Sequence, residues 1–105
     1  MNFEFSPYIA FQVKEYNDAV KFYKDVLGME TVKDGEKETH LKCGPINFFV
    51  ENSLDGNTFF EFKVEDVKKA RQLLEQNRCK VTQEYSEKSL MFADPYGMKF
   101  HIWQD

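Results

Sequence analysis

His101 is the residue of this sequence best suited to acid–base chemistry. It lies in an alternating stretch, Lys99 to Trp103, that follows a turn at Asp94 to Gly97. Alternation sends Lys99, His101 and Trp103 to one face of a strand and the two residues between them to the core. An imidazole titrates near neutral pH, so His101 could form hydrogen bonds or transfer protons in a cavity. It could equally be a polar residue satisfied by a neighbouring strand, and both interpretations stay open.

The sequence lacks the motifs of several common sites. It has no Ser-His-Asp set, no glycine-rich phosphate loop and no nucleophile elbow. Cys43 and Cys79 are the two cysteines, and neither belongs to a CxxC pair, which argues against a zinc knuckle or a redox pair. We expect both to be buried, reduced thiols rather than a disulfide. His40, beside Lys42 near a turn, is expected to face solvent.

Composition limits the partners of the chain. Its 105 residues suit one domain with one core, and 42% hydrophobic and 30% charged residues are typical of a globular protein. The net charge of −4 argues against nucleic acid and anionic membranes. No apolar run is long enough to span a bilayer and the start, Met1 to Phe5, does not resemble a signal peptide, so we expect a cytoplasmic protein. Its 11 Phe, 5 Tyr and 1 Trp exceed the needs of a small core, and some of these rings are expected to line a pocket.

The first half of the chain begins with a predicted strand and a predicted helix. Alternating apolar residues from Tyr8 to Val13 predict the strand. Asn17-Asp18 is the predicted N-cap of the helix, and Gly28 is its predicted stop. The helix side expected to pack on the sheet consists of Tyr16, Val20, Tyr23 and Leu27.

Three short strands are predicted to follow, over residues 29–32, 39–43 and 46–50, joined by turns at Asp34-Gly35 and Gly44-Pro45. After a linker-like segment, the second half repeats the order of elements. Its predicted elements are a strand at 58–64, a helix at 67–76, strands at 79–82 and up to 92, and a last strand at 98–103.

An internal duplication explains this repeated order. Four positions of the first half, Phe11, Val13, Ala19 and Phe22, match Phe62, Val64, Ala70 and Leu73, each 51 positions later. We therefore predict a first module at 1–52 and a second at 57–105 within one domain. The helix of each module would cover one face of its sheet, and the two uncovered faces would enclose a ligand cavity.

Two motifs make the chain resemble a known family. Ala19 to Met29 (AVKFYKDVLGM) has the form A-x-x-F-Y-x-x-x-L-G, and Asp94 to His101 (DPYGMKFH) has the form D-P-x-G with a ligand position four residues after the glycine. Together they resemble the vicinal oxygen chelate superfamily, which includes glyoxalase I, bleomycin-resistance proteins, fosfomycin-resistance enzymes and extradiol dioxygenases. The resemblance implies an α+β fold in which two βαβββ modules form a cupped, mixed eight-stranded sheet with helices on its outer face. It also implies a homodimer.

The resemblance gives four inward positions at which metal-dependent members place His, Gln or Glu. They fall on Tyr8, Phe59, His101 and, near the end of the first module, Phe48. Only His101 is a normal metal ligand, whereas a tightly held divalent ion takes three or four donors. We therefore predict no cofactor, with a divalent metal in a rearranged site as the alternative.

The predicted ligand-binding residues lie on these inward faces and are Tyr8, Gln12, Phe48, Phe59, Glu61, His101 and Trp103. Their rings would stack on a flat or apolar molecule, and their polar groups would be costly to bury without partners. We predict a protein that binds or sequesters a small aromatic or apolar ligand, as bleomycin-resistance proteins do. A metal-dependent lyase or transferase related to glyoxalase I or the fosfomycin-resistance enzymes is the alternative, and an interaction module that has only kept the fold is a third possibility.

Overall fold

Two units, each with one helix, make up the chain, and the computed structural model describes all 105 residues. The N-terminal module comprises Pro7–Thr58. The C-terminal module comprises Phe59–Asp105 together with Met1–Ser6, because the short strand β1 (Glu4–Phe5) pairs with a strand of that module. From the sequence, Met1–Ser6 are assigned to the first module, because β1 has only two residues and these are too few to show a periodic pattern.

The N-terminal module has the predicted βαβββ order. Its elements are β2 (Tyr8–Val13), α1 (Tyr16–Asp25), β3 (Glu30–Lys33), β4 (Glu38–Cys43) and β5 (Ile46–Asn52). The strand order is β3-β4-β5-β2, in which β2 and β5 run parallel and the other neighbours are antiparallel. A parallel pair needs a long connection between its strands, and α1 with β3 and β4 supplies it.

The core of the N-terminal module lies between α1 and its sheet. Tyr16 and Val20 of the helix are buried against Leu41 and Val50. Leu27 was expected on this side but is exposed, because the helix ends at Asp25 and Gly28 then takes a left-handed conformation with φ +71°.

The start of α1 also differs from the prediction. Asn17-Asp18 was expected to cap the helix, but both residues lie inside its first turn. Glu15 occupies the N-cap position, and its side chain makes no capping hydrogen bond. The N-terminal N–H groups of α1 are therefore left without the side-chain acceptor that a cap provides.

The C-terminal module repeats the same order after β1. Its further elements are β6 (Thr58–Lys63), α2 (Val67–Gln76), β7 (Lys80–Ser86), β8 (Ser89–Ala93) and β9 (Lys99–Trp103). The strand order is β1-β6-β9-β8-β7, with β6 and β9 parallel. Two βαβββ modules with mixed sheets confirm the predicted α+β class. Neither helix, at 10 residues each, is long enough to cross a membrane.

The core of the C-terminal module is the larger of the two. Val67 and Ala70 of α2 pack on buried strand residues that include Phe92, Phe100 and Ile102. At the start of α2 the Asp66 carboxylate accepts a hydrogen bond from the Lys69 backbone N–H at 3.1 Å, which is the capping bond that α1 lacks.

The two cysteines are free thiols in different environments. Cys79 is half-buried, and burial raises the pKa of its thiol, with a further contribution from the nearby Asp94 carboxylate. Cys43 is exposed at the end of β4, so the expectation that it is buried was wrong. The reason is its position in the tight turn between β4 and β5, where no element covers it.

Candidate functional site

The strand register places matched residues on the sheet face that each helix leaves uncovered, which we call the helix-free face. In the N-terminal module the parallel pair β2–β5 brings Tyr8, Ala10 and Gln12 opposite Asn47, Phe49 and Glu51. In the C-terminal module the parallel pair β6–β9 brings Phe59, Glu61 and Lys63 opposite Lys99, His101 and Trp103. Since side chains alternate along a strand, each group of six shares one face.

His101 is the centre of a hydrogen-bonded cluster in the C-terminal module. Its Nδ1 lies 3.1 Å from Oε1 of Glu61, and its Nε2 lies 2.6 Å from Oγ of Ser89. The ring of Tyr85 meets the imidazole edge-on, at 5.9 Å between centroids. The His101 and Glu61 side chains keep 22% and 24% of their surface exposed. Both ring nitrogens of the imidazole thus have polar partners, and about a quarter of the two side chains' surface remains exposed.

Two contacts fix the indole of Trp103, one at its N–H group and one over its ring. Its Nε1–H donates to Oγ of the buried Ser6 at 3.1 Å, and Nζ of Lys63 lies 5.0 Å from the ring centroid. Lys63 also pairs with Asp105 at 2.8 Å, and this hydrogen bond holds the pKa of the lysine above its ordinary value. Phe59, at the other end of this face, is half-buried opposite Lys99.

An aromatic stack occupies the helix-free face of the N-terminal module. Tyr8 lies over Phe49 at 5.7 Å between centroids, and Phe49 stacks on His40 at 4.4 Å with the rings 22° apart. Nε2 of His40 is 2.8 Å from Oδ1 of Asn47, which fixes the imidazole in this stack. Tyr8 remains 38% exposed, so the outer end of the Tyr8–Phe49–His40 stack offers a ring to solvent. His40, which was expected to face solvent, is half-buried.

Gln12 forms the polar end of the same face. Its Nε2–H donates to Oε1 of Glu51 at 3.3 Å, and its Oε1 accepts from the Asn57 backbone N–H at 3.2 Å. Burial raises the pKa of Glu51, the hydrogen bond from Gln12 lowers it by less, and the Glu38 carboxylate opposite adds to the rise. The hydrogen bond from Gln12 therefore offsets part of the repulsion between the Glu51 and Glu38 carboxylates, which lie opposite each other on neighbouring strands.

Phe48 does not lie on the helix-free face, and this corrects the prediction. Its ring stacks on Phe11 at 5.4 Å with the planes 9° apart, and both lie on the side packed by α1. Phe48 shares that side with the fully buried Val50 because they are two residues apart on one strand. The residue of this module that corresponds to His101 is Phe49, since it pairs with Ala10 as His101 pairs with Glu61.

Family membership follows from a comparison of the sequence with known protein families. The family model of the glyoxalase/bleomycin resistance protein/dioxygenase superfamily matches residues 6–102. The chain belongs to this superfamily. No curated protein matches the sequence significantly.

Solved structures of superfamily members share this fold at low sequence identity. A superfamily member from Vibrio splendidus 12B01 is 18% identical, with a TM-score of 0.70 and 99% of each chain covered. The Mn(II)-bound glyoxalase from Novosphingobium aromaticivorans is 20% identical with a TM-score of 0.72, and an extradiol ring-cleaving dioxygenase from B. fuscum is 18% identical with a TM-score of 0.75. The match covers 97% and 99% of this chain but only 38% and 33% of those two proteins.

The donor set for a superfamily metal does not fit the residues of this chain. Of the four positions taken from the resemblance, with Phe49 in place of Phe48, only His101 is a normal ligand of a divalent metal ion. No three side chains of His, Cys, Asp or Glu come together in the structure to hold an ion. Glu61 and His101 make a pair, and a divalent ion bound by protein normally takes more ligands than two.

Sequence reasoning missed three residues of these faces: Ser89, Phe49 and His40. Alternation in β8, where Leu90 and Phe92 are buried, does indicate that Ser89 points away from the helix. Its proximity to His101 depends on the antiparallel register of β8 and β9, which the sequence does not define.

Proposed function

We propose that this protein binds a small aromatic or apolar molecule on the helix-free faces of its modules, without a metal ion. The single observation that carries the proposal is the half-exposed Tyr8–Phe49–His40 stack, a run of rings that no residue of the module's helix covers. Partly exposed rings held at stacking distance, with planes 27° and 22° apart, offer a flat ligand a surface with little loss of side-chain entropy.

The helix-free face of the C-terminal module contributes polar recognition to this proposal. His101, Glu61 and Ser89 present hydrogen-bonding groups that are satisfied in the structure yet accessible. Phe59 and Trp103 lie on the same face, on either side of these groups along the ladder. Ligand sites usually combine an apolar lining with a few fixed polar groups of this kind.

Within the superfamily, this combination supports binding or sequestration of the kind found in bleomycin-resistance proteins rather than metal-assisted turnover. The support is the donor set, because Glu61 and His101 form a pair and a protein-bound divalent ion normally takes more ligands than two. We also propose that the protein is cytoplasmic and forms a homodimer, and light scattering of the purified chain checks the second statement.

A titration followed by the fluorescence of Trp103, the only tryptophan, tests the proposed function. Neutral aromatic probes such as coumarin and benzyl alcohol should change the emission saturably in chelator-treated protein. Equilibrium dialysis, which counts ligand bound to either module, should show weaker binding to Tyr8→Ser because the exposed ring of the stack is removed. Tyr96→Ser is the matched control, since Tyr96 is an exposed ring in the turn before β9 that belongs to neither face.

Elemental analysis of protein purified without chelator separates this proposal from a metal-dependent lyase or transferase. Metal-free protein that binds the probes supports the proposal. Stoichiometric Mn, Zn, Ni or Fe that is lost in His101→Ala contradicts it.

A further inference from the structure

We propose that Ser89 is a nucleophile, activated by His101 and positioned through Glu61, that accepts an acyl group from small activated esters. The three side chains form a continuous line of hydrogen bonds: 2.6 Å from the serine Oγ to Nε2, and 3.1 Å from Nδ1 to the carboxylate. A nucleophile bonded to a base that is itself oriented by a third group is the arrangement that activates serine in acyl transfer. This inference goes beyond reversible ligand binding, although it uses the same face.

The direction of the two hydrogen bonds depends on the protonation of His101, and the neutral imidazole is the form that can act as a base. An ionised carboxylate has no proton to give, so Glu61 accepts and Nδ1 of His101 carries the proton. The neutral imidazole then has its lone pair on Nε2, which faces the Ser89 hydroxyl. In this form the hydroxyl of Ser89 donates to Nε2 of His101. This is the tautomer in which the imidazole can remove the serine proton.

Three neighbouring strands hold the set in place. Glu61 on β6 lies directly opposite His101 on β9, and Met91 on β8 lies opposite His101 from the other side. Ser89 is two residues from Met91 on the same strand, so it reaches the imidazole diagonally across the ladder. Sites built on paired strands are held more rigidly than sites on loops.

The set is also accessible, which a purely structural network in a core would not be. None of the three residues belongs to the hydrophobic core of the module. Ser89 is half-buried at the start of β8. The side chains of His101 and Glu61 are 22% and 24% exposed. The three side chains are therefore partly exposed rather than enclosed in the core.

The reaction balances with an ester and water as the two reactants. Oγ attacks the carbonyl carbon and forms a C–O bond while its proton moves to Nε2. The bond to the leaving alkoxide or phenoxide then breaks, and the leaving group takes that proton. Water repeats the sequence on the acyl-serine: its proton passes to Nε2 and on to Oγ, and the carboxylic acid leaves.

The test is reaction of the full chain with 4-nitrophenyl acetate, followed by nitrophenolate release and by mass spectrometric mapping of the acetyl group. We expect one acetyl group on Ser89 when acid stops the reaction during turnover of the unmodified protein, so the central result needs no variant to fold. Ser89→Ala should abolish this label. Ser86→Ala is the matched control, because Ser86 lies in the same hairpin but its Oγ only accepts from the Lys88 backbone N–H.

Two further variants separate activation from structure. His101→Gln should slow acetylation of Ser89 about 10²-fold, the usual contribution of a general base. Glu61→Gln should also slow it, by up to about 10²-fold, because the amide removes the charge and can hold the imidazole in the wrong tautomer. Thermal melting should show that both variants remain folded. Acetyl groups spread over lysines with none preferred on Ser89, or Ser89 labelling that is unchanged in His101→Gln, would overturn the proposal.

Discussion

The helix-free faces of the two modules share one backbone plan and differ in chemistry. Phe49 in one module and His101 in the other occupy the same place in the parallel ladder, opposite Ala10 and Glu61. The first face is a stack of rings, whereas the second is a chain of hydrogen bonds from carboxylate to imidazole to hydroxyl. The same backbone plan thus fixes where side chains point in both modules, while the side chains at matched positions differ in chemistry.

The helix-covered faces of the two modules differ far less. Val50 and Ile102 take equivalent ladder positions and are both fully buried, and the first residues of the two helices, Tyr16 and Val67, are both buried. Packing constrains these positions in both modules, because any loss of volume leaves a cavity.

The largest expected loss of stability tests whether Phe48 or Phe49 of β5 packs in the core. Phe100→Ala in the C-terminal module should destabilise the protein by about 3–5 kcal/mol, and the equivalent Phe48→Ala by about 2–4 kcal/mol because Phe48 is only half-buried. Phe49→Ala removes a ring from the exposed stack and should cost roughly 1 kcal/mol. Urea denaturation measures all three, and a greater cost for Phe49→Ala than for Phe48→Ala would contradict the assigned side-chain directions.

The next effect concerns a polar contact that the N-terminal module has and its counterpart lacks. The buried Tyr16 hydroxyl bonds to the Thr39 hydroxyl and donates to the Gly35 carbonyl at 2.6 Å, whereas Val67 at the matched position has no such group. Tyr16→Phe should cost about 1–3 kcal/mol, because Thr39 is 2% exposed and loses its partner. Tyr23→Phe on the same helix is the control. Equal, small losses in both variants would show that the contact contributes nothing.

The two modules also differ in helix capping, which should change stability by a smaller amount. Asp66→Ala removes the capping acceptor of α2 and should lower stability by about 1 kcal/mol. Glu15→Ala at the equivalent position of α1 should have little effect, since Glu15 makes no capping bond. Thermal melting of the two variants side by side checks this. A Glu15→Ala loss as large as that of Asp66→Ala would mean that α1 is capped in solution.

The smallest effect depends on pH. Because burial raises the pKa of Glu51, the folded protein holds that proton more tightly than the unfolded chain does. Stability from this group is therefore present at low pH and is lost as pH rises above the ordinary carboxyl range. Glu51→Gln should stabilise the protein at neutral pH by no more than roughly 0.5 kcal/mol, given the solvent screening of a partly exposed group.

Denaturation at several pH values measures this effect, with Glu87→Gln in an exposed turn as the control for loss of charge. The Glu51→Gln curve should be flatter than that of the unmodified protein above the ordinary carboxyl range. A loss of stability in Glu51→Gln at neutral pH would show that the ionised carboxylate stabilises the fold, the opposite of what its raised pKa implies.

Much of the fold could be predicted because it depends on local patterns. The helix over Val67–Gln76 and the strand over Tyr8–Val13 have the predicted bounds, since periodicity and end signals define both. The pairing of Ser89 with His101 depends on register between strands, which β-bulges in β7 and the hairpin length also influence. The direction of Phe48 was missed for a related reason. Equivalent residues of the two modules are 51 residues apart on their first strands but 52 apart on their last strands.

Metal-free binding on the helix-free faces is tested most directly by a ¹H–¹⁵N NMR titration of the protein, in chelator, with a neutral aromatic probe such as coumarin. Shifts should concentrate on β2, β5, β6 and β9, including the indole N–H of Trp103, and should saturate. Shifts confined to α1 and α2, or none until Mn²⁺ replaces the chelator, would contradict this mode of binding.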